Sequence, residues 1–211
     1  MSKARKKKKS DKKPAAKKFY SNGRIKRQAA PSANLTKTTY RKALPELRRD
    51  FKDRCAYCMR HIATTTEMQV DHFDPRRKND KHQVYSNLFL SDPHCNDAKG
   101  QAWPSESDFA CGCHFLNCCD EVDYGEVIFE DPKTHKLIGT TPAAIYHIET
   151  IDLDNPGLVK EREHRSKILS TIAYARRSPD PKMNAIADKL EDAEQNLIPP
   201  IPPPPGSWAI I

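Results

Sequence analysis

Leu44, Leu47 and Phe51 recur at three- and four-residue intervals, which predicts a helix over residues 40–54 with Pro45 accommodated in its first turn. The pattern then shifts. Met68-Gln69-Val70-Asp71 reads as a short strand and Asn87-Leu88-Phe89-Leu90 as a second. Residues 73–86 between them are polar and basic, as in a long loop. A short helix from Asn96 is ended by Gly100. The predicted order is therefore strand, long loop, strand, helix. Residues 101–157 look irregular except for a hairpin over Val127–Thr140, turning around Pro132–His135. Two helices follow: Leu158–Ala175, with Leu158, Ile168, Leu169 and Ile172, and Met183–Leu197, with Met183, Ile186, Leu190, Ala193 and Leu197. Apolar stripes of this kind usually face a core. The end, Pro199-Pro200-Ile201 and Pro202–Pro205, must leave the helix and is expected as polyproline II, a spacer or a docking peptide.

Length and charge refine this outline. The 211 residues suit one domain with appendages. Without head and tail, about 160 residues remain, enough to bury roughly 70% of the unfolded surface. Residues 1–28 carry thirteen Lys or Arg and one acid, a net of +12; the whole chain is +8, so the remainder is −4. The block Arg5-Lys6-Lys7-Lys8-Lys9 repels itself and has little apolar surface to bury, so residues 1–35 are expected to be a disordered basic arm. An arm of this composition suits phosphate binding through counterion release, although a nuclear-import signal or a solvated tail has the same composition. The expected divisions are the arm 1–35, a core 36–105, an extension 106–198 and a Pro-rich tail 199–211.

The seven cysteines lie at 55, 58, 95, 111, 113, 118 and 119. The N-terminus has no apolar stretch of a secretory signal, and no run approaches the ~20 apolar residues of a membrane span. Membrane association is not expected. A reducing cytoplasm is expected, and there such spacing more often means metal than disulfide.

The chemistry centres on Asp71-His72. Phosphodiester hydrolysis needs an activated water, a stabiliser for developing charge and a neutralised leaving oxygen. A neutral histidine takes the water's proton near physiological pH. A divalent ion held by carboxylate and amide oxygens clamps the phosphate, and Mg²⁺ suits a site with few protein ligands. An isolated Asp-His pair is usually a surface turn. Here it lies between Cys55-Ala56-Tyr57-Cys58 and Cys95-Asn96, with Asn87 between and Lys99-Gly100 after.

At these spacings residues 54–104 resemble the HNH, or ββα-metal, nuclease family in its Cys-x₂-Cys-containing form. The resemblance implies an α+β fold with a ββα-metal core, zinc-binding cysteines and additional C-terminal helices. It implies that His72 is the general base, that Asp71 and Asn96 hold a catalytic Mg²⁺ or Mn²⁺, and that Asn87 holds the long loop and orients His72. Cys55, Cys58 and Cys95 match three of the four cysteines that bind a structural Zn²⁺ in relatives. The remaining position is Asp92, so the fourth ligand is open between Asp92 and the downstream cysteines, Cys113 or Cys119, in a cluster that also holds Cys111, His114 and Cys118. Arg76, Arg77, Lys78 and Lys99 are the expected phosphate contacts.

Beyond the motif, Trp103-Pro104 and the acidic stretch Asp120–Pro132 are similar to bacterial HNH proteins of mobile and defence loci, including retron- and Septu-type systems. This implies a cytoplasmic, nucleoid-associated enzyme that nicks double-stranded DNA, with a protein partner such as an ATPase, or a homodimer for double-strand breaks. The rival reading is a non-catalytic, zinc-stabilised nucleic-acid-binding module, which leaves Asp71, His72, Asn87 and Asn96 without a role.

Overall fold

The computed structural model describes residues 25–28, 30–31, 34–65, 67–120 and 124–206. A 3-10 turn, Tyr40–Ala43, runs into helix α1, Leu44–Asp50, which buries Leu47 and leads into buried Phe51. Strands β1, Gln69–His72, and β2, Leu88–Ser91, form an antiparallel pair with Asp71 opposite Phe89 and His72 opposite Leu88. All four β2 residues are buried, so this strand is the spine of the core.

Helix α2, Pro93–Lys99, starts earlier than the expected Asn96. The Asp92 carboxylate accepts the His94 N–H at 3.0 Å, and Pro93 occupies the first turn, where a missing N–H costs nothing. Gly100 ends the helix at φ +51°, a backbone conformation that disfavours side chains. The strand–loop–strand–helix order is thus present over residues 69–99.

The expected hairpin forms as β3, Ile128–Glu130, paired antiparallel with β4, Leu137–Gly139. Two helices fall where an irregular segment was expected. Helix α3, Glu106–Ala110, is set by a capping box between Ser105 and Asp108, and helix α4, Pro142–Thr150, by the Thr141 side chain accepting the Ala144 N–H. Gly139 is required where β4 meets α4, since a Cβ there would lie 2.7 Å from the Ile145 nitrogen.

Helices α5, Pro156–Arg177, and α6, Pro181–Glu194, complete the fold. The first half of α5 packs on the body through Leu158, Arg162 and Arg165. Its second half and α6 share a small separate cluster of Ile172, Ala175 and Ala187. Arg165 donates to both oxygens of Glu130 at 2.5 and 2.6 Å, and His135 contacts the same carboxylate at 2.9 Å. This buried ion pair joins α5 to β3.

Both ends of the described chain are packed more firmly than expected. Ile25 and Leu35, assigned above to a disordered arm, are buried in the core. The Ile25 N–H donates to the Cys118 carbonyl at 2.8 Å, and the Arg27 guanidinium lies over the rings of Phe89, Phe51 and Tyr85. The packed body therefore reaches back at least to residue 25; the strongly basic residues 1–24 lie outside the described residues. At the other end Ile198 and Ile201 are buried, and the Pro202 carbonyl accepts the Glu130 N–H at 3.1 Å. The proline-rich stretch thus straps the core over these residues and is not a free peptide there. Residues 207–211, and residues 121–123 of the expected acidic edge, lie outside the described residues.

Candidate active site

Strand β1 and the second half of α2 open onto a cavity of about 520 Å³ lined by Asp71, His72, Gln69, Asn96, Asp97, Gly100, Tyr40, Arg41, Pro75 and Lys78. Three of the four expected catalytic residues, Asp71, His72 and Asn96, thus line one space. The fourth, Asn87, acts behind it. Asn87 Oδ1 accepts the Asp74 N–H at 2.8 Å, its Nδ2 donates to the Asp74 carbonyl at 3.1 Å, and its backbone carbonyl accepts the Phe73 N–H at 2.8 Å. It therefore clamps the start of the long loop, directly after His72.

The side chain that orients His72 is Gln83, which sequence spacing did not single out. His72 Nε2 lies 2.8 Å from Gln83 Oε1. The orientation of the amide is settled by its other end: Gln83 Nε2 donates to the carbonyls of Arg77, Lys78 and Asp80 at 3.3, 3.2 and 2.8 Å. Oε1 must then accept from His72, so Nε2 carries the proton and Nδ1 carries the lone pair. Burial lowers the His72 pKa, with Lys78 and Lys99 acting in the same direction and Gln83 and Asp71 opposing. Burial thus favours the neutral ring, with the lone pair on Nδ1. Tyr40 packs against it with ring centroids 4.6 Å apart.

Asp71 is 5% exposed and is held by two donors. Tyr57 Oη donates to Oδ2 at 2.5 Å, and Lys99 Nζ lies 3.0 Å from Oδ2 and 3.3 Å from Oδ1. Burial pushes its carboxyl pKa up, while Lys99, Tyr57 and His72 pull it back. Lys99 also donates to the His72 carbonyl at 2.8 Å. Only 1% of Lys99 is exposed, so the expected phosphate contact at this residue is corrected: its ammonium is spent inside the protein. The Asn96 amide Nδ2 donates to Gln69 Oε1 at 2.6 Å, which leaves Oδ1 as the lone-pair atom of that side chain.

Of the remaining expected phosphate contacts, Arg76 makes a two-pronged pair with Asp74 at 2.8 and 2.9 Å and stacks on Trp103, and Arg77 pairs with Asp80 at 3.1 Å. Lys78 lies on the cavity wall. The loop's positive charge is thus partly neutralised by its own acids.

Behind this cavity the turn Cys55–Cys58 is closed by Met59 at φ +62°, and the Ala56 N–H reaches the Leu90 carbonyl of β2 at 2.8 Å. Cys95 enters from α2. The sulfurs of Cys55, Cys58 and Cys95 lie within 4.8 Å of one another, all buried, and form the one cluster of at least three potential ligands among the described residues. Burial raises the Cys55 thiol pKa, but hydrogen bonds from Cys58, Cys95 and the Asp92 and Cys58 backbone hold it well below the usual value. Cys58 and Cys95 are pushed well above it, Cys58 mainly by burial and Cys95 mainly by hydrogen bonding to Cys55. Three buried sulfurs sharing proton and charge in this way fit a soft cation such as Zn²⁺.

None of the three expected fourth ligands joins this cluster. The Asp92 carboxylate caps α2 and pairs with Arg60 at 3.0 Å, while Cys113 and Cys119 are half-buried outside it. His147 of α4 is fully buried; its Nδ1 accepts the Leu116 N–H at 3.1 Å, and its Nε2 has no partner. Burial lowers its pKa to about 3, with the charge of Cys55 opposing. Since Nδ1 is an acceptor, Nε2 carries the proton, on a ring packed against Tyr57 and Phe115.

The two-stranded sheet and helix α2 bring His72, Asp71 and Asn96 to one cavity beside the thiol turn, a ββα arrangement. Residues 55–102 match the family model described as HNH endonuclease. No curated protein and no solved structure matches the chain. The match supports a nuclease-type function in general, with the metal dependence and nucleic-acid binding that such domains imply. No described helix is long and apolar enough to cross a membrane.

Proposed function

We propose that the chain is a metal-dependent endonuclease that hydrolyses phosphodiester bonds in double-stranded DNA, one strand per site. The observation that carries this reading is the tautomer of His72: Gln83 Oε1 accepts the hydrogen bond from the Nε2–H and leaves the Nδ1 lone pair as the base, on a side chain that lines the same cavity as Asp71 and Asn96. Water on the cavity side of His72 gives its proton to Nδ1 as it attacks phosphorus, and Gln83 accepts a hydrogen bond from the resulting imidazolium. Asp71 Oδ1 and Asn96 Oδ1 are the atoms of this chain suited to a hard divalent ion, Mg²⁺ or Mn²⁺. Such an ion supplies charge neutralisation at the phosphate and at the departing 3′ oxygen, leaving a 5′-phosphate. Lys78 and Arg41 at the cavity, with residues 1–24, attract the backbone without reading sequence. Zn²⁺ at Cys55, Cys58 and Cys95 ties the thiol turn to α2 and so holds the base of the site.

The reading extends to an effector role in bacterial defence, with an ATPase partner or a second copy supplying the trigger and the second cut. It rests there on family likeness alone. The test is plasmid nicking with Mg²⁺ or Mn²⁺ and a single-stranded RNA control. Wild type should convert supercoiled DNA to open circles and His72→Ala should not. Equal inertness of both proteins, with DNA binding retained, would instead make the chain a binding module.

A further inference from the structure

Lys99 and Tyr57 have no part in the chemistry described above, yet both are buried against Asp71. Tyr57 sits between Cys55 and Cys58; its N–H lies 3.4 Å from the Cys55 sulfur, and its hydroxyl reaches Asp71 Oδ2 at 2.5 Å. Lys99 lies one helical turn beyond Asn96 and bridges Asp71 and the His72 carbonyl. A carboxylate oxygen has two lone pairs, and Oδ2 spends both, one on each neighbour. Among the described residues Oδ1 receives only the 3.3 Å contact from Lys99. The two oxygens of Asp71 are therefore unequal, and the inequality is built by residues from the thiol turn and from α2.

We propose that Tyr57 and Lys99 are positioning residues that occupy Oδ2 of Asp71, reserve Oδ1 as a single-oxygen ligand for the divalent ion, and hold it at a fixed distance from Asn96. The inference rests on the reading of Asp71 and Asn96 as the ligands of that ion. Lys99 sets the spacing because one ammonium ties α2, which carries Asn96, to the strand end that carries Asp71. Tyr57 makes the hydrolytic centre depend on the thiol cluster, because the turn that places its hydroxyl is the turn that the sulfurs close. The bland account of the same contacts is a core ion pair that contributes to folding only. The two accounts differ in what removing a single hydroxyl does.

Tyr57→Phe keeps the ring packed against Phe89 and removes only the donor. Mn²⁺ is the probe, with binding to the full chain measured from the free-ion electron paramagnetic resonance signal. Asp71→Asn serves as the reference for loss of the ligand, and zinc content and melting temperature are recorded for each protein. Removing the partner of a metal ligand typically weakens metal affinity ~10-fold or more. Tyr57→Phe should therefore bind Mn²⁺ about tenfold more weakly, with unchanged zinc content. The Mn²⁺ concentration for half-maximal nicking should rise equally, with turnover at saturating Mn²⁺ within about twofold of wild type. Mn²⁺ affinity within twofold of wild type, with only a lowered melting temperature, would overturn the proposal in favour of the core ion pair. So would an affinity that Asp71→Asn leaves unchanged. If Mn²⁺ binding weakens as expected but no protein cleaves DNA, the positioning role stands and the endonuclease reading falls.

Discussion

Replacing Gln83 with leucine isolates the orienting contact of the base. The substitution keeps a similar volume and deletes the acceptor 2.8 Å from His72 Nε2. That bond strengthens when the ring becomes an imidazolium, and hydrogen bonds to charged groups contribute about 1.5–3 kcal/mol. At 1.36 kcal/mol per decade, turnover should fall roughly 10- to 150-fold. The three loop carbonyls that lose Gln83 Nε2 belong to residues 77, 78 and 80, of which 77 and 78 are exposed, so water replaces the donor there and the stability cost is small. The assay is single-turnover nicking of supercoiled DNA at saturating Mg²⁺, with nitrogen-15 spectra of the imidazole ring. In wild type Nδ1 should appear as the bare nitrogen. Turnover of Gln83→Leu within twofold of wild type would refute the assignment of Gln83, and a protonated Nδ1 in wild type would refute the choice of base nitrogen.

Four further expectations concern other parts of the molecule. Purified protein should contain one zinc ion per chain by mass spectrometry, with chelation or Cys95→Ala lowering the melting temperature; a metal-free protein of unchanged stability would remove the thiol site. His147 is neutral when folded, with a pKa of about 3 against ~6.5 unfolded, so the unfolded chain binds the extra proton. Its contribution is therefore intact above pH ~6.5 and lost as pH falls toward 3, on the order of 5 kcal/mol; urea titrations should show wild type losing stability relative to His147→Gln over that range. Arg165→Met leaves Glu130 buried and unpaired by arginine and should cost about 3–5 kcal/mol in chemical denaturation, against little for a surface pair. Deleting residues 1–24 should flatten the salt dependence of DNA binding while sparing zinc content, and an unchanged slope would deny the arm a role.

The ββα unit was legible because its information is local: two short strand runs, a short helix ended by Gly100 and motif residues at fixed spacing. The boundary errors have local causes too. Asp92 looked like a misplaced ligand because it occupies a cysteine position, but an aspartate before a proline is also a helix cap, and the cap is what the fold uses. Ser105 to Asp108 and Thr141-Pro142 were cap signals for α3 and α4, overlooked beside the cysteines and the acidic run. Gln83 was not legible. Nothing in a polar loop says which amide turns inward, and its placement depends on Leu35, whose carbonyl accepts the Gln83 N–H at 2.8 Å across a long sequence gap. Lys99 illustrates the opposite error. A lysine beside a phosphate motif looks like a phosphate contact until the fold buries it. Tyr57 was hidden by the conspicuous cysteines on either side.

The strap formed by residues 195–202 fixes an order of events during synthesis. Arg54, immediately before the first thiol, donates to the Leu197 carbonyl at 2.8 Å and to the Gln195 carbonyl, so the knuckle is sealed by a segment made long after it. While the ribosome is still translating α5 and α6, the three cysteines already exist and the carbonyls that Arg54 binds do not. The thiol turn is therefore tied to this strap only after α6 has been made, and Ile198 and Ile201 seat against a body that already holds the three cysteines.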